Sequence, residues 1–269
     1  MLRNTIPEIY LNLFPKSLLD FKIEEKKATC DKCALSEGRS PDKRSYKPNL
    51  KCCTFQPFQT NYLMGQILSN KATPTEVLER IKAKIQKREY VFPIGIIAPI
   101  PHQIQFANRK DSDFGNRADW LCPYYDRVKD NCGIWKSRSS VCTSFHCLSS
   151  YGTLGFEFWD SLSDYISYVE MALMEEVLLQ LDFSPREISE QISFLNPEEL
   201  LPQEKKVKFV SASFLEKIWK DYYKDEIHFY KKCYEIIQNL SERQFKKILG
   251  EQGLSIQKKV MTAKKAILV

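Results

Sequence analysis

Eight of the nine cysteines in this 269-residue chain fall between residues 30 and 147: Cys30, Cys33, Cys52, Cys53, Cys122, Cys132, Cys142 and Cys147. A thiolate binds zinc, iron or an iron–sulfur cluster because its charge and soft sulfur match those centres, and a two-residue gap lets one turn present two sulfurs to one ion. Cys30-Asp31-Lys32-Cys33 has that spacing, and Cys122, Cys132 and Cys142 follow at equal intervals of ten. Adjacent Cys52 and Cys53 pose a separate problem. Consecutive side chains on extended backbone point in opposite directions, so the two serve one ion only if the chain turns there. Thiols that merely fill a core would sit at helical or alternating positions; most of these lie in polar, period-free sequence. Cys233 is the exception, since it follows an apolar helical stripe and reads as an inert core thiol.

Structural zinc sites commonly use two close cysteine pairs, whereas this chain has one such pair plus dispersed cysteines. An iron–sulfur cluster takes four cysteines from separate loops, so the dispersed spacing favours iron–sulfur over Zn(II). Eight thiols make two four-cysteine sites, or one site with four bystanders. His146 precedes Cys147 and reads as a hydrogen-bond donor behind the ligands or as a surface histidine rather than a ligand. Arg138 either binds at the cofactor by offsetting thiolate charge or forms a surface salt bridge. Glycine-rich nucleotide loops, the zinc-protease helix motif and the nucleophile elbow are absent from the sequence, which leaves the common hydrolases and Rossmann or P-loop enzymes without support.

The run from Cys132 to Cys147 resembles the signature of the YkgJ-like cysteine-cluster proteins, a family described as zinc- or iron-chelating. Cys132, Ile134, Arg138, Cys142, Phe145 and Cys147 match that pattern in register. Trp135 stands for its tyrosine, Ser139 for its proline and Thr143 for its second arginine. Cys30, Cys33, Cys52 and Cys53 resemble the family's amino-terminal cysteines, although eighteen residues separate Cys33 from Cys52 where the family usually has two. The resemblance covers residues 30–147 and implies metal binding; some relatives resemble a flagellin lysine methylase that carries an iron–sulfur cluster, which implies an enzymatic alternative.

Residues 24–60, interrupted by Gly38, Pro41, Pro48 and Pro57, predict loop held by something other than apolar packing. Thr73-Pro74-Thr75-Glu76 predicts a capped helix to about Glu89, with Val77, Leu78, Ile81 and Ile85 buried. Val91 to Ile100 predicts a short buried extended segment. Phe158, Leu162, Tyr165, Ile166, Val169, Leu173, Val177 and Leu181 recur at helical spacing and predict the longest helix, ending near Asp182. Capping patterns at Ser184 and Asn196 predict two more helices, and Ser213 to Leu240 one long one, with Val260 to Val269 a frayed tail. The expected class is therefore mainly α with a large irregular, metal-held cysteine-rich region and few short strands. The expected division is a cysteine-cluster domain over 1–182 and a helical carboxyl-terminal extension over 183–269.

No apolar run is long enough to span a membrane, and the first twenty residues lack the apolar block and cleavage site of a secretory signal, which predicts a cytoplasmic location. The net charge of +6 conceals a reversal: residues 155–200 are acidic and those after Leu200 rich in lysine. Adjacent lysines on a helix lie about 100° apart and spread around it, and no basic aromatic loop accompanies them. The expected partner is metal, with a protein partner for the carboxyl-terminal helices, and no nucleic acid or membrane. The leading reading is a metal-binding protein. Its alternatives are a metalloenzyme modifying protein side chains and a zinc-stabilised interaction module.

Overall fold

The computed structural model describes residues 1–25, 33–36, 45–198 and 210–268. The chain is mainly helical, and its longest helix is the spine predicted from periodicity. We number the helices α1 (Lys16–Leu19), α2 (Asn61–Ser69), α3 (Thr75–Gln86), α4 (Ile100–Ala107), α5 (Ser140–Ser144), α6 (Gly152–Gln180), α7 (Pro185–Ile192), α8 (Ala212–Trp219), α9 (Glu226–Gln238) and α10 (Glu242–Leu268). The residues at helical spacing on α6, from Phe158 through Val177, are all buried. Its end is a left-handed cap: Asp182 has φ 63°, and the N–H groups of Asp182 and Phe183 donate to the carbonyls of Leu179 and Leu178. Ser184 then opens α7 with a reciprocal capping box to Glu187, as its sequence predicts.

Two helix pairs build the core around that spine. Helix α10 runs along α6, broken at Gly250, where the Tyr168 hydroxyl donates to the Leu249 carbonyl at 3.0 Å. Helix α9 crosses α2 at Gly65, where a Cβ would lie 1.9 Å from the Tyr230 carbonyl oxygen. Only glycine permits that approach. One apolar cluster runs through these elements, with residues from Leu2 to Val260 on both sides of Asp182 contributing to it. The amino-terminal segment is part of it, because Phe14 packs against the rings of Tyr165 and Phe245.

The strands are short, as expected. β1 (Gln59–Thr60), β2 (Val91–Phe92) and β3 (Gly95–Ile96) form one antiparallel sheet in the order β1-β3-β2, with Thr60 opposite Gly95 and Gln59 opposite Ile96. Gly95 has φ 140° and sits against the Gln59 carbonyl, so a side chain there would be both strained and blocked. β4 (Tyr125–Asp126) and β5 (Asn131–Cys132) form a separate hairpin. Among the described residues no helix is long and apolar enough to cross a membrane.

Four local expectations need correction. Thr73 does not cap α3; its hydroxyl donates to the Ile67 carbonyl and the helix begins after Pro74. The helix expected from Ser213 to Leu240 is two helices, because Lys220 and Lys224 adopt positive φ and the Lys220 ammonium turns to the Asp182 carbonyl and the Glu187 carboxylate. The extended segment expected from Val91 to Ile100 stops short of its last residue, because Ile100 opens α4 after Pro99. The tail is not frayed through its described length: α10 continues to Leu268, Val260 is fully buried and Lys264 donates to the Ser17 carbonyl. The helix expected at Asn196 lies largely outside the described residues.

Gly65→Ala should destabilise the protein by about 2 kcal/mol or more, because its methyl meets backbone rather than a movable side chain. Urea unfolding followed by circular dichroism reads the effect, and an unchanged midpoint would contradict this packing.

Candidate metal centre

The turn over residues 50–53 resolves the problem of the adjacent cysteines. Lys51 has φ 53° and the Cys53 N–H donates to the Leu50 carbonyl, so the chain curls and both Cys52 and Cys53 line the same cavity. The Cys53 carbonyl accepts the Cys122 N–H at 2.8 Å, and the Lys51 ammonium donates to the Asp130 carbonyl at 2.5 Å, which fastens this turn to the β4–β5 hairpin. The hairpin presents Cys122 just before β4 and Cys132 on β5, opposite Tyr125. Arg80 of α3 donates to the carbonyls of Pro123 and Tyr125 and so holds that loop against the helical core.

Cys142 arrives on the five-residue helix α5, which Glu170 of α6 anchors. The Ser140 N–H and hydroxyl donate to the Glu170 carboxyl at 2.7 and 2.8 Å, and the Ser167 hydroxyl donates to that of Ser140 at 2.9 Å. Glu170 was legible as one acid among several in the acidic segment; its position four residues after Ile166, on the buried face, is the signal of its different role. Burial pushes its carboxyl up to about 8, against the opposing hydrogen bonds from Ser140.

Cys52, Cys53, Cys122, Cys132 and Cys142 together line a cavity of about 250 Å³. Aromatic rings close much of its remaining wall: Phe55, Phe106, Phe114, Tyr124, Trp135 and Phe145. Two guanidinium groups also line it. Arg109 lies 4.1 Å above the Phe106 ring, and Arg138 lies 3.5 Å above that of Trp135 while donating through Nε to the Trp135 carbonyl. Arg138 is only 7% exposed and its Nη2 is buried with no hydrogen-bond partner, so the surface salt bridge is not the arrangement seen. A buried guanidinium is costly without an anion, and its positive charge favours the thiolates of Cys52, Cys132 and Cys142.

The thiol acidities follow from burial. Desolvation pushes Cys122 up to about 12 and raises Cys132 and Cys142. The Cys53 thiol hydrogen-bonds to Cys52 and lowers it, and is itself raised by the same contact. Cys122, Cys132 and Cys142 are therefore protonated at neutral pH in the metal-free protein, whereas Cys52, lowered to about 7, is partly ionised there, and a metal would have to displace the remaining protons to bind. Among the described residues, no group of three or more His, Cys, Asp or Glu side chains is arranged to hold a single metal ion.

The other predicted residues lie elsewhere. Cys33 and Cys147 do not line the cavity, although burial pushes Cys147 up to about 11 and the charges of Cys33 and of the cavity's Cys52 act in the same direction. Cys30 lies outside the described residues. Cys233 is fully buried on α9 within the apolar core. Every described cysteine is a free thiol. His146 is not a plain surface histidine: its ring lies tilted against that of Trp159 with centroids 4.0 Å apart, and both nitrogens are buried without a partner. Beside it, the Glu25 carboxylate accepts from the Ser149 hydroxyl and from Trp159 Nε1, at 2.8 and 2.7 Å, and so pins the amino-terminal segment to the start of α6.

No family model, curated protein or solved structure matches the chain. The cysteine-cluster resemblance therefore stands on the signature residues themselves.

Glu170 makes stability depend on pH with a definite sign. From its ordinary value of 4.5 up to about 8, the unfolded chain has lost this proton and the folded chain keeps it, so its contribution to stability falls as pH rises through that window. Glu170→Gln should remove a decline on the order of 5 kcal/mol from the profile between pH 4.5 and 8. Denaturant titrations of both proteins across that range check it; parallel profiles would contradict the assignment.

Proposed function

We propose that this chain holds an iron–sulfur cluster in the cysteine-lined cavity, with ligands drawn from Cys52, Cys53, Cys122, Cys132 and Cys142. Five thiols lining one 250 Å³ space beside a buried guanidinium whose Nη2 has no hydrogen-bond partner carry this reading. A cluster extends over several atoms and takes its four cysteines from separate loops, and here the thiols come from a turn, a hairpin and a short helix arranged around a space rather than a point. The chain's own residues supply the setting. Arg138 offsets the charge of the thiolates, while the aromatic side chains around the cavity lower the local dielectric. When bound, such a cluster supplies one-electron redox chemistry, its potential set by charge, hydrogen bonding and exposure. The motif from Cys132 to Cys147, similar to that of a zinc- or iron-chelating family, supports the same reading.

Within this proposal, Cys33 and Cys147 stand outside the cluster's ligand set, and Cys233 is a core thiol. Cys122→Ser, Cys132→Ser and Cys142→Ser should each lower iron and acid-labile sulfide severalfold after anaerobic reconstitution, whereas Cys233→Ser should match the parent chain. Full iron and sulfide in all three cavity variants, or loss in Cys233→Ser alone, would overturn the assignment. Stoichiometric zinc without sulfide would replace the cluster with a zinc site.

A further inference from the structure

Cys52 and Cys53 are consecutive residues whose thiols meet. Lys51, at φ 53°, starts a turn that the Cys53 N–H closes on the Leu50 carbonyl, and both side chains line the same cavity with their thiols in hydrogen-bond contact. The Cys53 carbonyl accepts the Cys122 N–H and the Lys51 ammonium donates to the Asp130 carbonyl, so the turn is held in that form from outside. Neither residue is sealed away: both are half-buried, whereas Cys233 is wholly buried in the apolar core.

Two thiols in contact are a dithiol as well as a pair of metal ligands. Consecutive Cα atoms lie about 3.8 Å apart across a trans peptide, below the roughly 4.4–6.8 Å usual for residues joined by a disulfide. A bond between these two sulfurs is therefore strained, and strained disulfides are the labile ones that free thiols reopen.

We propose that Cys52 and Cys53 form a thiol–disulfide exchange site, which a low-molecular-weight disulfide oxidises to a disulfide between the two consecutive residues. One cysteine, as its thiolate, attacks the small disulfide, forming a mixed disulfide and releasing the first half of the oxidant as a thiolate. The other cysteine loses its proton and attacks the protein sulfur of that mixed disulfide, which releases the second half. The pair gives up two electrons and two protons, and the oxidant takes up both as two thiols. This exchange needs no metal. Its consequence rests on the reading of the cavity as a cluster site: the bond withdraws two of the five cavity thiols and leaves Cys122, Cys132 and Cys142, one fewer than the four a cluster takes, so an oxidised pair and a bound cluster exclude each other.

Tryptic cleavage after Lys51 and Lys71 yields a 52–71 peptide in which Cys52 and Cys53 are the only cysteines, so mass spectrometry reads the pair by itself. The full chain, stripped of metal by a chelator and checked by elemental analysis, is treated with oxidised glutathione, quenched with iodoacetamide and digested. The peptide should appear unalkylated and lighter by two hydrogens, and excess reduced glutathione added before the quench should restore two alkylatable thiols. Cys52→Ser and Cys53→Ser should each leave the remaining thiol carrying one glutathione. The proposal is overturned if the parent peptide keeps two alkylatable thiols or carries glutathione instead, if it is linked to a peptide containing Cys122, Cys132 or Cys142, or if reduced glutathione does not reopen the bond. Because the chain is free of metal throughout, a failure to reconstitute a cluster would contradict the reading of the cavity and leave this result standing.

Discussion

The cysteine-bearing loops depend on a small set of polar ties to the helical core, because they contain little regular structure of their own. Arg80 fixes the Cys122 loop to α3, Glu170 fixes the Cys142 helix to α6, and Glu25 fixes the amino-terminal segment beside His146 and Cys147. Each tie joins a side chain on or near the core to groups of a loop that would otherwise lack partners, and an unpaired buried group of this kind costs about 1–3 kcal/mol. The helices therefore do more than surround the cavity. Through these few bonds they determine where each sulfur stands.

The cavity has an electrostatic imbalance built into it. Arg138 carries a permanent charge to an aromatic-lined space, where Cys52, lowered to about 7, answers it in part while Cys122, Cys132 and Cys142, raised by burial, hold their protons. Stacking on Trp135 offsets part of the cost. An anionic ligand set would offset the rest, since a metal that displaces the thiol protons converts neutral sulfurs into thiolates around the guanidinium. A feature that is unfavourable in the metal-free chain is thus one that metal binding would relieve.

The carboxyl-terminal helices meet the acidic segment directly. Lys220 pairs with Glu187 at 2.9 Å and Lys217 approaches Glu190 to 3.8 Å, and the Lys220 contact together with the Ser184 cap holds Glu187 down to about 2. Part of the charge reversal along the sequence is therefore internal, between α7 and α8 with the residue that follows it.

Periodicity made the spine legible: α3, α6 and α7 stand close to where apolar spacing and capping residues put them, and Cys233 lies in the core as its helical stripe implied. The dispersed cysteines were legible as a group by type and spacing, but their division was not. Whether Cys52 and Cys53 face the same way depends on a backbone turn at Lys51, and which cysteines line the cavity depends on how distant loops come together. The break near Lys220 and the burial of Val260 also follow from tertiary contacts that override local propensity. Sulfur-sensitive X-ray absorption at the metal edge of anaerobically purified protein tests the central claim most directly. Iron bound by sulfur, with a second iron in its near shell, is the predicted result; protein without metal above trace levels, or metal bound only by nitrogen and oxygen, would contradict it.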